Sequence, residues 1–586
     1  MKKYLLSAIL VVALAVTLMV GAFAADVSIS SADELVAIMN DSSKWADNIT
    51  LTANINLSGK AQSPIGDYTT PFTGTFDGAG HTISGLDITA SGPVGLFGVV
   101  NSATIKNLTV EGRVENTFGT DLPEGTERNA ENKLEDGNYP ATGAIVGVAQ
   151  SGSTLENLTN KATVSGHGNN GGVVGIISSY GDATVTAKGC VNYGTVTADV
   201  GNCAGVIGRL RAKTEAVPAI LLDECVNYAD VTSVSEDRNR LGGVTGYVRT
   251  ENGTIEITKC RNEGTVTGKN EQMTGSNIPY VGGIAGRCEV TGGAYAGLVF
   301  SECVNTGLID SSRCGAGIVG YISRGSECFN VATKIERCIN AGEVKGPYYA
   351  GGMISYLSSN LFPGEYATVI ENCLNVAPVS TEDCGGGIIG RLICCDVRNC
   401  VNLAEVTGVV SVGALIGKYD GEYVCNITDS YYLYATKSVG NESEYMHAAN
   451  LLPVASSEAT QKDVFAALDF ETVWTMGTAC PVPASADGIN FNIPAGVVVE
   501  AYPDTTIFEE TEEPEETEPA EEPADEPKET TEATTKAPKS TKATTTAANE
   551  EAPEAEGGDN TMVIVIIVAA VVVAAVVAVV IIKKKK

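Results

Sequence analysis

Histidine is nearly absent: three occur in 586 residues, at His81, His167 and His447. None belongs to an HExxH pattern, so no helix offers two imidazoles and a glutamate to a catalytic zinc. GxSxG and the glycine-rich phosphate loop are missing too, which removes the usual nucleophile elbow and nucleotide cradle. No CxxC pair occurs, and Cys394, Cys395 and Cys400 are poorly spaced for tetrahedral zinc. Neither a metal nor another cofactor is expected. Basic residues are scarce as well, 38 against 71 acidic ones, for a net charge of −33. Such a chain repels nucleic acid and anionic lipid, and no basic patch in the sequence argues otherwise. Amphipathic helices of useful length are lacking in the central part, and its two tryptophans, Trp45 and Trp474, lie outside the repetitive region.

What is present begins with the ends. Lys2 and Lys3 precede an apolar run that closes on Ala22-Phe23-Ala24, the pattern of a signal peptide over residues 1–24. Near the other end, Met562 to Ile582 is an uninterrupted apolar run, long enough to span a bilayer, and the lysines Lys583 to Lys586 set that end in the cytoplasm. Residues 503–560 carry 19 acids and 4 lysines among Pro, Thr and Ala, a composition that buries too little surface to fold. The expectation is an exported body held on an extended acidic stalk by one membrane helix (561–582) with a basic tail (583–586).

The body repeats itself. One element is a glycine-rich apolar strand, as in GGVVG (171–175), AGVIG (204–208), GGVTG (242–246), GGIAG (282–286), AGIVG (316–320), GGMIS (351–355) and GGIIG (386–390), with further copies on either side. The other is Cys-x-Asn followed by a short β-prone segment, at Cys190, Cys225, Cys260, Cys303, Cys338, Cys373 and Cys400, with asparagines Asn192, Asn227, Asn262, Asn305, Asn340, Asn375 and Asn402. Most intervals are 35 residues; one is 43 and one 27. Two upstream copies, 105–114 and 155–164, lack the cysteine. Each period reads as three short strands, such as GVVGII, ATVTAKGC and GTVTA. A unit this short buries no core alone, so copies must stack, each strand pairing with its equivalent about 4.8 Å away. The prediction is all-β: a parallel β-solenoid of about ten coils. A propeller is the alternative, but it wants a Trp-Asp signature in each blade.

In such a stack the seven cysteines fall on one line, where a small apolar side chain tolerates burial, and each asparagine takes a corner with left-handed backbone angles, bonding to the coils above and below. Disulfides are the nearest rival, since the sequence holds 16 cysteines behind an export signal, but parallel Cβ vectors make the S–S dihedral awkward.

The run ISSADELVAIMN (29–40), then PFTGTFDGAGHTISGL (71–86), VGLFGVVNSATIKNLTVEG (94–112) and the repeats beyond them resemble bacterial surface proteins carrying the GLUG motif. Those repeats also precede the peptidase domain of IgA-specific metallopeptidases. The resemblance resumes at ITDSYYLYATKSVG (427–440) and FAALDFETVWTMG (465–477). It implies a right-handed β-helix displayed on a cell surface and adhesin-like, and it implies no catalytic residue. The domains are then an N-terminal cap (25–70) with Leu35, Ile38 and Met39 on one helical face, the repeats (71–440), and a C-terminal cap (441–502) in which residues around Phe465 to Met476 close the far end.

Asp77 and Asp87 flank His81, but carboxylates so placed are usually surface charges; a hydrolytic or calcium role is the alternative. Tyr193 and Tyr228 sit on adjacent coils, and Tyr280 and Tyr349 two coils apart, so each pair is a candidate platform for a sugar ring; packing alone also stacks tyrosines on sheets. The polar insertion 115–141 is a candidate binding loop. The sequence favours a membrane-anchored, non-enzymatic surface binder of an extracellular glycan or protein, on the outer side of a plasma membrane. A polysaccharide-active β-helix enzyme and a structural envelope protein are the alternatives.

Overall fold

A computed structural model describes residues 24–118 and 140–486, less short breaks at 182, 234–239, 270–277, 294, 327, 329–330, 360–367, 422 and 434–436. The predicted signal peptide to residue 23, most of the insertion 115–141, and everything from 487 on, including stalk and membrane segment, lie outside the described residues. Among the described residues no helix is long and apolar enough to cross a membrane.

Each repeat makes one circuit of a parallel β-solenoid. One coil runs Ile207–Lys213, Ile220–Asp223, Val226–Asn227, Val231–Ser233 and Arg240–Gly242. Every strand pairs in parallel with its counterpart one repeat on: Leu210 with Val248, Leu222 with Ile257, Asn227 with Asn262, Val231 with Val266, Leu241 with Val281. The coil therefore has five strands, not three. Three of them are only two or three residues long, and tight corners between such short strands leave no break in a pattern read by alternation. Strands that pair only with the coil above and the coil below leave no radial blades, which rules out the propeller.

An eleven-stranded sheet forms one face, from Phe97–Asn101 to Val439–Asn441. The other strands form one continuous pairing network around the remaining faces. Inside, Val, Ile, Leu, Cys and Ala from all faces make one continuous core. The 43-residue interval still sets Asn262 opposite Asn305, and the strands on either side of its surplus keep register, Val266 with Ile309 and Tyr280 with Cys314.

Stacking starts before residue 71. Asp26–Ile29 pairs with Asn48–Leu51, which pairs with Thr75–Asp77. Between the first two lies the helix Ala32–Met39, started by a capping box in which Ser31 and Glu34 satisfy each other's backbone N–H groups. It buries Leu35, Ile38 and Met39 in the same core. The C-terminal segment behaves differently from expectation. Phe465, Leu468, Trp474 and Val482 pack on Val304, Ile339, Leu374 and Val401, the middle residues of successive Cys-x-Asn strands. The Trp474 indole donates to Asn372 Oδ1 at 3.1 Å, and the Ala467 N–H donates to the Tyr431 hydroxyl at 2.8 Å. The segment thus lies along a flank of the last coils instead of across their end. The middle residue points outward, and in these four successive coils it is apolar, the run beginning just past Arg261, so the segment covers a continuous apolar stripe.

Candidate functional site

The two repeated motifs meet inside the coil. Along the column the Asn side chain donates to the carbonyl two residues on, as Asn192 does to Gly194 at 2.9 Å, and to the Oδ1 of the next asparagine; Asn340 makes only the second of these bonds. The ladder starts at Asn160, in a copy without cysteine, and passes to Asn192 at 2.8 Å. It continues through Asn227, Asn262, Asn305, Asn340 and Asn375 to Asn402 with contacts of 2.7 to 2.9 Å. Asn402 closes it on the Ala414 carbonyl at 2.8 Å. All eight are fully buried. The glycine at the second position of each glycine motif lies directly beneath: a methyl built on Gly243 would come 2.3 Å from Asn262 Oδ1 and 2.2 Å from the Gly283 carbonyl. Glycine is needed there for close approach.

The left-handed corner is not at the asparagine. It falls on the residue before each cysteine: Gly189, Glu224, Lys259, Glu302, Arg337, Asn372 and Asn399 have φ between 51° and 60°. The asparagine is turned inward instead, where its amide satisfies the strand ends. The cysteine bridges the corner, its thiol donating to the carbonyl two residues back, as Cys260 does to Thr258 at 3.3 Å and Cys373 to Glu371 at 3.3 Å. In the cysteine-free copy Leu158 takes this place, opposite Leu108.

All sixteen cysteines are buried thiols, none joined in a disulfide. Burial pushes Cys480 up to about 12, and burial with the Asp383 carboxylate beside it does the same to Cys384. Reactivity requires the thiolate and access. A thiol titration of the folded protein, at neutral pH or at pH 9, is therefore expected to find almost no fast-reacting group, and sixteen after unfolding in guanidinium. Rapid labelling of the native chain would contradict the ladder.

The four tyrosines separate into two places. Tyr193 and Tyr228 are stacked on adjacent coils, ring centroids 4.8 Å apart and planes within 4°, and remain 52% and 37% exposed. Arg261, one coil on, donates from Nη2 to the Tyr228 hydroxyl at 2.9 Å. This pair lies on the stretch of flank that the C-terminal segment leaves uncovered. Tyr280 and Tyr349 do not form a platform by themselves. Cys314 stands between them in the strand column, and they are only 8% and 4% exposed. The accessible rings beside them are Tyr321 and Tyr356, which the glycine motifs alone do not mark. Tyr280 stacks on Tyr321 at 4.7 Å, and Tyr349 packs on Tyr356 at 5.4 Å.

Tyr321 and Tyr356 belong to one column on the eleven-stranded face: Arg209, Tyr247, Arg287, Tyr321, Tyr356, Arg391 and Lys418 are successive partners in register. Each is the residue immediately after a glycine motif, so the signal lies one position beyond the pattern. Guanidiniums lie over rings throughout: Arg240 is 4.2 Å and Arg209 5.0 Å from the centre of Tyr247, Arg287 5.1 Å from Tyr321, and Arg391 4.8 Å from Tyr356. Tyr247 donates to Glu289 at 2.6 Å. Arg287 pairs with the same carboxylate at 2.7 Å, and these neighbours hold Glu289 below the usual carboxylate range against the effect of its burial.

Asp77 accepts from the Ala79 N–H at 2.8 Å and from Asn107 at 3.1 Å, and Asp87 pairs with Arg113 at 2.8 Å. Both carboxylates are thus tied into local structure. His81 lies 3.3 Å from Asn54 Oδ1.

No family profile matches the chain. A halomucin from Haloquadratum walsbyi is 34% identical over 166 residues, 26% of this chain and 2% of the halomucin's own length. Among solved structures, a candidate immunoglobulin A1 protease from Bacteroides ovatus aligns over 78% of this chain and 92% of that one, at 16% identity and a TM-score of 0.25.

Proposed function

We propose that this chain is a surface-displayed, adhesin-like binding protein without catalytic activity, which holds an extracellular glycan against the side of a right-handed β-helix. The observation that carries the reading is the exposed Tyr193–Tyr228 stack with Arg261 beneath it. Two tyrosines fixed by parallel strands offer rigid, amphipathic ring edges and hydroxyls at small entropic cost, the combination that recurs in binding surfaces. The right hand follows from the preference of parallel crossovers within one sheet. The resemblance to GLUG-motif proteins and the local likeness to halomucin both support a surface-associated role. The stalk at 503–560 and the membrane segment at 561–582 supply the anchorage in this reading.

Saturable binding of the protein on an array of host and plant glycans and mucins is the expected result, with no release of reducing sugar. Tyr193→Ala with Tyr228→Ala should weaken it by about tenfold or more while leaving the melting temperature unchanged, as for exposed aromatic anchors. Silence on every glycan, or binding indifferent to the double substitution, would sink the proposal. Capture of a matrix protein alone would replace glycan by protein as the ligand.

A further inference from the structure

We propose a second binding site, on the eleven-stranded face, for acidic polysaccharides that carry carboxylate or sulfate groups. It is the column of arginines and tyrosines on that face, and it is separate from the Tyr193–Tyr228 flank.

Charge is the first argument. Residues 25–502 hold 52 acids and 28 bases, a net of −24. Along this column the balance reverses: Arg209, Arg240, Arg287, Arg313, Arg391 and Lys418 face Glu289, Asp383 and Asp420, six bases against three acids. A cationic stripe on an acidic body concentrates the field where a polyanion can enter and repels it elsewhere.

Geometry is the second. The buried members, Arg209 and Arg240, brace Tyr247, whereas Arg287 and Arg391 keep 24% of their side chains exposed and Lys418 31%. A guanidinium lying over a ring is held in place and still presents in-plane N–H donors, whose planar fork matches a carboxylate or sulfate. Tyr321 and Tyr356, half-buried between Arg287 and Arg391, add ring surface for the sugar itself. Three coils separate Arg287 from Arg391, roughly 14 Å at the strand spacing. Lys418 is one coil further on, in register with Arg391. Cations distributed in this way along the axis fit anions borne at intervals on an extended chain better than one small anion. Arg391 also bonds the Tyr349 hydroxyl at 2.5 Å and pairs with Asp420, so it reaches the stripe from a fixed position.

The test uses the full chain and three immobilised polysaccharides at physiological salt, polygalacturonate, dextran sulfate and neutral dextran, with immobilised single-stranded DNA as the competing polyanion. Retention on one or both acidic polymers and none on dextran is expected, and which of the two binds tells carboxylate from sulfate. Arg287→Gln with Arg391→Gln should weaken retention about tenfold or more, as loss of two charge-assisted contacts implies. Lys418→Gln, at a half-buried position paired with Asp420, should weaken it severalfold while the protein still folds. Tyr193→Ala with Tyr228→Ala should leave it intact, which separates this site from the first. Equal retention on dextran overturns the proposal, as does full affinity in a folded Arg287/Arg391 double variant. If that variant does not fold, full affinity of Lys418→Gln overturns it instead. Preference for single-stranded DNA over both polysaccharides would refute the ligand class.

Discussion

Gly283→Ala is expected to destabilise the protein by about 3 kcal/mol or more, although it adds a single methyl group. The methyl would lie 2.1 Å from the Gly317 carbonyl oxygen and 2.5 Å from Asn305 Oδ1. Neither obstacle can swing aside. The carbonyl belongs to the next coil's backbone, and the amide is locked between Asn262 and Asn340 in the ladder. Because neighbouring coils are equally close-packed, the strain passes to them and is not relieved at the site. Melting followed by circular dichroism, with limited proteolysis to locate the opened region, measures the effect. Gly325→Ala is the control, since its methyl would meet only the Val290 carbonyl, at 3.7 Å; a change within about 0.5 kcal/mol is expected there. Wild-type melting of Gly283→Ala would mean the motifs do not pack as described.

This contact also shows how much the sequence discloses. The repeat, the parallel stacking and the inward cysteine line follow from periodicity alone, since a 35-residue unit without a core of its own has few other ways to fold. The pairing of the motifs is equally present: seven second-position glycines, Gly172 to Gly387, accompany seven Cys-x-Asn copies, and where the ladder ends at Asn402 the next motif has Ala414 in that place. Read separately, the motifs assign the asparagine a corner role that belongs to the residue three positions back. Backbone handedness at a corner is set by how strands close the circuit, so a tolerant residue type does not reveal it; Lys259, Glu302 and Arg337 all occupy it. Tyr280 and Tyr349 stand out as aromatics near glycines, but burial depends on which face of a short strand each occupies. A shift of one residue exchanges the faces. The accessible rings are Tyr321 and Tyr356, on neighbouring strands of the eleven-stranded face.

The asparagine ladder carries the second large effect. In its middle, Asn262 accepts from Asn227 at 2.8 Å and donates to Gly264 and Asn305, each at 2.8 Å. Asn262→Ala removes three bonds in a site closed to water and leaves polar groups on three residues without their partner. At about 1 kcal/mol or more for each buried group left unsatisfied, a loss on the order of 3 kcal/mol is expected. Asn262→Asp separates the hydrogen bonds from the shape. An ionised carboxylate accepts from Asn227 but donates nothing, and it buries a charge; a protonated one accepts and also donates once, restoring two of the three bonds. The folded state therefore favours the protonated form, so the folded pKa of that aspartate lies above its unfolded value. A group shifted upward lends stability that is fully present below the unfolded pKa and is lost as pH rises through the folded one. Asn262→Asp should then lose only about 1 kcal/mol near pH 4, for the one bond not restored, and approach or exceed the defect of Asn262→Ala at pH 7, while Asn262→Ala relative to wild type changes little between them. Melting curves of the three proteins at both pH values decide it. Parallel behaviour of the aspartate and alanine variants would mean that the ladder's amides are spectators and that glycine packing alone holds the coils in register.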